Sequence, residues 1–311
     1  MNLAKSAAAD GPDDADRRIG LVAGWGRYPI VVAEALVAAG YEVHCLGVRE
    51  HVDEAALRPL CKTFHSIGMV QMGRALRILH RLRVHKVTMA GKIHKTKLYQ
   101  PWMWWHYMPD LRTLRMFFSS FVLTRTDRRD DTILGTVVAE AAKDGVLVAP
   151  ATDFAPELLV KQEHLSRRRP TTLECKDIEF GWTLAKEMGR LDVGQSVAVK
   201  MRTTLAIEAI EGTDACIRRA GELCRSGGFT IVKVAKPRQD MRFDVPTIGL
   251  GTLEQMRAAG ARCLAIEAGK TILLDREECV RFADRHGLAI VALETGEQAA
   301  TMGEAETARA A

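Results

Sequence analysis

Short apolar runs that stop at glycine or a charged residue alternate with longer Ala- and Leu-rich stretches along most of this chain. Arg18-Ile-Gly-Leu-Val-Ala-Gly24 predicts a strand, and Ile30 to Ala39 predicts a helix closed by Gly40. Tyr41 to Gly47 predicts a second strand. A strand, a helix and a strand in succession imply a parallel sheet. Phe64 to Gly68 and Lys86 to Ala90 predict two more strands, with a helix over Val70 to Leu82 between them. A helix reaching Lys143 follows Arg128-Arg-Asp-Asp-Thr132, and Val146 to Pro150 predicts the last strand of a first domain. The segment Ala151 to Thr172, with Pro156, Pro170 and the basic run Arg167 to Arg169, reads as a loop.

The second half repeats the alternation without repeating the sequence. Helices are predicted over Cys175 to Leu191, Ala215 to Ser226, Thr252 to Ala259 and Arg276 to His286. Strands are predicted over Ser196 to Met201, Leu205 to Ile210, Phe229 to Val234, Cys263 to Glu267 and Ala289 to Leu293, with Thr271 to Leu274 as a hairpin partner. The fold class is therefore α/β: a Rossmann-like N-terminal parallel-sheet domain over 18–152 and a mixed α/β C-terminal domain over 153–294. Residues 1–17 read as a disordered lead-in and 295–311 as a flexible tail.

Composition narrows the function more than the fold. The 311 residues are 47% hydrophobic and 27% charged, with a net charge of +5. Such a modest positive balance suits an anionic substrate or an acidic membrane surface better than a nucleic-acid wrapper. The seven cysteines are scattered and form no CxxC pair, which argues against a zinc site or a disulfide framework. The Ala/Asp-rich start lacks the apolar core of a signal peptide, and no apolar run is long enough to span a bilayer.

Candidate chemistry concentrates in Lys233-Val-Ala-Lys-Pro-Arg-Gln-Asp-Met-Arg-Phe-Asp-Val-Pro-Thr-Ile-Gly249. Lys233, Lys236 and Arg242 supply cations, Asp240 and Asp244 supply carboxylates, and Pro237 and Pro246 limit the backbone. Cations neutralise phosphate oxygens and carboxylates hold a divalent metal, so this mixture points to metal-assisted chemistry on a phosphate. Gln239 and Thr247 lie in the same stretch. The bland alternative is a surface salt-bridge cluster. Glu208, Glu211, Gly212, Thr213 and Asp214 form a second charged turn between a strand and a helix, where simple N-capping is the bland alternative. Glu208 and Glu211 join Asp240 and Asp244 as candidate ligands of Mg²⁺. Glu267 ends a strand and is a candidate substrate contact.

In the first domain, Gly24, Gly26 and Arg27 join a strand to a helix, and Gly91 and Lys92 follow another strand. Both places suit a phosphate or nucleotide contact. Pro29 stands where a third glycine of a dinucleotide fingerprint would be, and no acidic residue ends the second strand, which argues against a dinucleotide. Asp130 and Asp131 read equally as helix caps or as ribose or metal contacts. The aromatic stretch carrying Trp102, Trp104, Trp105 and Tyr107 reads as core or dimer interface, with acyl-chain or membrane contact as the alternative.

These segments, taken in order, resemble one family. Ile19 to Pro29, Met89 to Ile93, Arg129 to Leu134, Leu191 to Val197, Ala206 to Asp214, Lys236 to Gly249 and Ile266 to Gly269 resemble the two-domain UDP-2,3-diacylglucosamine pyrophosphatases of lipid A biosynthesis. That type is unrelated to the calcineurin-like phosphoesterases. The resemblance implies Mg²⁺-dependent hydrolysis to UMP and 2,3-diacylglucosamine 1-phosphate, with water attacking the α-phosphate. It also implies an essential aspartate in Gln239-Asp-Met-Arg-Phe-Asp244, a homodimer, and peripheral work at the cytoplasmic face of the inner membrane, with no nucleic-acid partner. Trp25 between the two glycines departs from the family pattern. Another nucleotide-sugar hydrolase or transferase, or a non-catalytic nucleotide- or lipid-binding regulator, is the alternative.

Overall fold

A computed structural model describes residues 17–92, 110–115, 130–242, 244–299 and 301–302. It divides into two units, Met1–Ala155 and Pro156–Ala311.

The first unit runs β1 (Arg18–Ala23), α1 (Tyr28–Ala38), β2 (Glu42–Val48), α2 (Glu54–Leu57), β3 (Thr63–Ile67), α3 (Met72–Arg81), β4 (Lys86–Ala90), α4 (Asp130–Lys143), β5 (Leu147–Val148) and α5 (Ala151–Phe154). Its five strands lie in the order β3-β2-β1-β4-β5, and every pair is parallel. Helices cover both faces of such a sheet, so its strands read as continuous apolar runs instead of alternating ones. Ile19, Leu21 and Ala23 in β1 and Cys45 and Leu46 in β2 are fully buried accordingly. Pro29 starts α1, where its missing N–H costs nothing, and Ile30, Val32, Ala33 and Leu36 form the buried face. Helix α3 buries Ala75, Leu76 and Leu79. Its N-terminus borrows a cap from a distant segment: Asp110 Oδ2 accepts the Arg74 N–H at 2.9 Å, and Thr113 Oγ1 accepts that of Met72 at 3.0 Å. The strand order reverses between β1 and β4, which makes the loops after them the place where ligands meet open α/β sheets.

The second unit runs β6 (Glu163–His164), α6 (Thr172–Arg190), β7 (Ser196–Lys200), β8 (Thr203–Ile207), α7 (Thr213–Leu223), β9 (Phe229–Lys233), β10 (Thr247–Ile248), α8 (Leu250–Ala259), β11 (Ala261–Glu267), β12 (Ile272–Leu273), α9 (Arg276–His286) and β13 (Ala289–Leu293). Six strands form a mixed sheet, β6-β13-β11-β9-β7-β8. β9, β11 and β13 are parallel, and β6, β7 and β8 join antiparallel. One face packs Phe229, Ile231 and Leu264 against Ile217 of α7 and Leu253 and Met256 of α8. The other packs Val197, Val199 and Val232 against Ile178, Trp182 and Ala185 of α6. Each fully buried side chain of this size contributes about 1.5–3 kcal/mol. Helix α6 opens with a capping box, in which Thr171 and Glu174 satisfy each other's backbone N–H.

Three expectations need correction. Thr271 to Leu274 does not form a hairpin with β11: β12 pairs in parallel with β10. β11 already has β9 on one side and β13 on the other, so it offers no free edge. The span read as a loop contains α5, a 3₁₀ turn at Pro156–Leu158 and β6, because Ala151, Ala155, Val160 and Leu165 are buried. The tail does not fray at its start. Residues 297–299 and 301–302 are helical, Ala299 is fully buried, and Gln298 Oε1 accepts the Glu294 N–H at 2.8 Å.

Candidate active site

The polar residues of the second unit gather along one edge of its sheet. Ser196 begins β7 opposite Lys233, which ends β9, and Lys233 lies beside Ile266, one residue before Glu267 at the end of β11. Glu208 follows the end of β8, and its N–H donates to Ser196 O at 2.9 Å. Glu208, Ser196, Lys233 and Glu267 therefore follow the strand order β8-β7-β9-β11 along the carboxyl end of the parallel strands. All four are buried.

Burial demands partners, and they are specific. Lys233 Nζ donates to Thr213 Oγ1 at 3.2 Å and to Thr247 O at 3.0 Å. The Thr213 hydroxyl in turn donates to Glu208 Oε1 at 2.8 Å, so it stands between ammonium and carboxylate. Glu208 Oε2 is buried and has no hydrogen-bond partner. Gly194 holds Glu208 in place: a Cβ there would lie 2.0 Å from Glu208 O. Glu267 Oε2 accepts from Lys186 Nζ at 2.6 Å and from the Ala235 N–H at 2.8 Å, while Lys270 Nζ lies 2.9 Å from Oε1. Gly212, with φ +82°, caps α7, and a Cβ there would meet nothing within 4 Å. The N-terminus of α7 thus opens beside the Lys233–Thr213 pair.

The segment after β9 is folded onto itself. The Lys236 N–H donates to Gln239 Oε1 at 2.7 Å, and Lys236 Nζ donates to Asp192 Oδ1 at 2.7 Å and lies 4.0 Å from Asp244 Oδ2. Arg242 grips Asp240 through its guanidinium, with Nε at 2.8 and 3.0 Å from the two oxygens, and its N–H also donates to Oδ1. That guanidinium holds the Asp240 carboxyl below the usual carboxylate range, and Asp240 in turn raises Arg242. The Asp244 side chain is 40% exposed. Thr247 Oγ1 donates to Val245 O.

Of the four carboxylates expected to hold a metal, Glu208 and Glu211 face different partners. Glu211 pairs with Arg219 at 2.6 Å on the outer side of α7, and Glu208 is turned to Thr213. Asp214 is exposed in the first turn of α7, with Thr252 Oγ1 at 3.5 Å. Among the described residues, no three His, Cys, Asp or Glu side chains converge as metal ligands. A charged turn in sequence puts neighbours near one another without aiming their side chains at one point. Lys186, Asp192, Ser196 and Lys270 complete the edge without having been named as site residues; Asp192 and Ser196 lie in a segment noted for its family resemblance, and Lys186 and Lys270 carry no local signal.

In the first unit the loops after β1 and β4 clasp each other with backbone alone. The Gly24 N–H donates to Ala90 O at 2.8 Å, and Trp25 and Lys92 exchange N–H···O bonds at 2.8 and 2.9 Å. A Cβ on Gly24 would lie 2.8 Å from Lys92 O, and one on Gly91 (φ +97°) 2.8 Å from Gly24 C. These glycines are required by each other. Gly26, with φ +106°, faces open space instead. Arg27 reaches back along α1 to Glu34 at 3.4 Å. The aromatic stretch from Trp102 to Tyr107 lies outside the described residues, as do the side chains of Asp130 and Asp131.

Two family models account for the chain. Residues 18–158 match the LpxI N-terminal domain, and residues 161–291 match the LpxI C-terminal domain. The chain belongs to the LpxI family. A relative from Caulobacter vibrioides, UDP-2,3-diacylglucosamine pyrophosphatase LpxI, is 30% identical over 291 residues, covering 91% of this chain and 99% of its own length. The charged edge, the 236–244 segment and the Gly24–Gly91 clasp all fall inside the LpxI-matched spans.

Proposed function

We propose that this chain hydrolyses the pyrophosphate of UDP-2,3-diacylglucosamine, releasing UMP and 2,3-diacylglucosamine 1-phosphate. It is a hydrolase acting on a phosphoric anhydride. The observation that carries this reading is the match to a pyrophosphatase of that substrate along 91% of the chain. The charged edge of the second unit gives the reading its chemistry. A pyrophosphate develops negative charge on its bridging and leaving oxygens as the bond breaks, and preorganised cations there lower the barrier most. Lys233 and Lys236, each fixed by named partners, bind and orient the two phosphates; the N–H groups of the first turn of α7, from Thr213 on, supply further donors. Arg242 keeps Asp240 ionised and immobile. Thr213 fixes the separation of Lys233 from Glu208.

Magnesium fits this donor set in one way. Mg²⁺ is usually held by one or two carboxylates, waters and substrate phosphates, so a four-carboxylate cage is not required. Asp244, partly exposed and 4.0 Å from Lys236, is the residue that would hold it, with Asp240 as a second ligand through oxygens that it shares with Arg242; Glu208 and Glu211 face Thr213 and Arg219. When bound, the metal would neutralise phosphate oxygens and make a coordinated water more acidic. In the first unit, Gly26 leaves room before the N-terminus of α1 for part of the nucleotide.

No helix among the described residues is long and apolar enough to cross a membrane. Contact with the inner membrane through a substrate that carries two acyl chains is accordingly peripheral in this reading, and pairing of two copies is part of it. The test is UMP release from UDP-2,3-diacylglucosamine in detergent micelles without any acceptor, with Mg²⁺ or with EDTA. The reading expects UMP with Mg²⁺ and its loss with EDTA. Folded protein that releases none under either condition would remove it. Attack at either phosphorus gives the same products, so the reaction in ¹⁸O water assigns it: label in UMP marks the α-phosphorus, label in the sugar phosphate the β-phosphorus.

A further inference from the structure

A cavity of about 400 Å³ opens beside α3 in the first unit, lined by His65, Arg74, Arg77, Ile78, Arg81 and Leu82. Arg74, Arg77 and Arg81 are spaced three and four residues apart, so they share one side of the helix. All three are exposed, and none has a carboxylate within ion-pair distance among the described residues. Some described arginines, such as Arg58, Arg112 and Arg242, pair with Glu or Asp, and others, such as Arg218 and Arg257, do not; what distinguishes these three is that they line one cavity. Helix polarity does not explain the stripe. A cation in the last turn is favoured, as at Arg81, but Arg74 lies in the first turn, whose N–H groups the Asp110 carboxylate caps.

Solvated arginines on a helix face need no ligand, but these border a recess walled by Ile78 and Leu82. His65, in the middle of β3, lines it too, and its Nε2 has no hydrogen-bond partner. Guanidinium forks match phosphate oxygens geometrically, and an apolar wall receives an organic substituent. The volume is within the range of small-ligand sites. Seven residues of helix span about 10 Å, wider than a lone phosphate ion. None of these residues belongs to the charged edge of the second unit or to the clasp at the ends of β1 and β4.

We propose that this cavity is a second anion site, which binds an organic phosphate presented as a soluble ester or as a phospholipid headgroup. The full chain and its R74Q/R77Q/R81Q variant are compared in two assays: calorimetric titration with glycerol 3-phosphate, and co-sedimentation with phosphatidylcholine vesicles with and without phosphatidic acid. The wild type is expected to bind at least one probe, and the variant to bind it about tenfold more weakly or worse. Calorimetric binding assigns a soluble ester; binding only to vesicles that contain phosphatidic acid assigns a headgroup. Equal far-UV dichroism and melting of the two proteins separates loss of binding from loss of fold. If the triple variant unfolds, Arg77→Gln alone carries the same comparison with a smaller loss. A wild type that binds neither probe, or a variant that binds as tightly as the wild type, overturns the proposal.

Discussion

The two units place polar groups at the ends of their parallel strands in opposite ways. In the first, the loops after β1 and β4 meet through main-chain hydrogen bonds, and the side chains that matter are the ones missing, at Gly24 and Gly91. In the second, the strand ends carry Lys233 and Glu267, and their contacts to Thr213, Thr247, Lys186 and Ala235 each run from or to a charged side chain. A backbone clasp is rigid and indifferent to pH, but it yields to a single methyl group. A charged edge is sensitive, in addition, to changes of charge.

Lys233→Met separates charge from shape most strongly. The stem remains, the ammonium goes, and Thr213 Oγ1 and Thr247 O lose a buried donor, which costs about 1–3 kcal/mol. Turnover of the folded variant is expected to fall by about two to three orders of magnitude, as for loss of one preorganised donor. A variant that melts much earlier and keeps its turnover would make Lys233 a structural residue.

Gly24→Ala reverses that pattern. Its methyl would lie 2.8 Å from Lys92 O, a backbone atom that moves only with the clasp. The expected cost is about 1–3 kcal/mol, confined to the first unit, with the second unit unfolding as before. Unfolding followed by hydrogen exchange in each unit checks it; equal loss of protection in both units would contradict the separation.

The smallest effect is on pH dependence. Arg242 depresses the Asp240 carboxyl, so the ionised form is complete at neutral pH and is lost only as pH falls through that lowered value. Arg242→Gln removes the holding charge, and the acid limb of the pH–rate profile should move to higher pH. An unmoved limb would mean that Asp240 does not set it.

Much of this contrast is legible along the chain. The central strands announce themselves because burial on both faces makes them apolar throughout, and the helices between them carry ordinary start and stop residues. The two-residue strands β6, β10 and β12 have no period to read, and their partners come from distant segments. That is why Thr271 to Leu274 was assigned to the neighbouring strand. The same holds at the site. The cations and carboxylates of Lys233 to Asp244 stand out by composition, but Asp192 reaches Lys236 across 44 residues and Lys186 reaches Glu267 across 81. Side-chain direction is equally hidden: Glu208 and Glu211 are three residues apart, yet one is buried against Thr213 and the other faces Arg219 outside.

The most direct test of the account is turnover of UDP-2,3-diacylglucosamine by Asp240→Asn and Asp244→Asn, each measured at saturating Mg²⁺ beside the folded wild type. Both substitutions keep the side-chain shape and remove the charge. The account predicts that each lowers UMP release by about a hundredfold or more while leaving the fold intact. Wild-type turnover in both variants would contradict it and move the reaction away from the segment that carries Asp240 and Asp244.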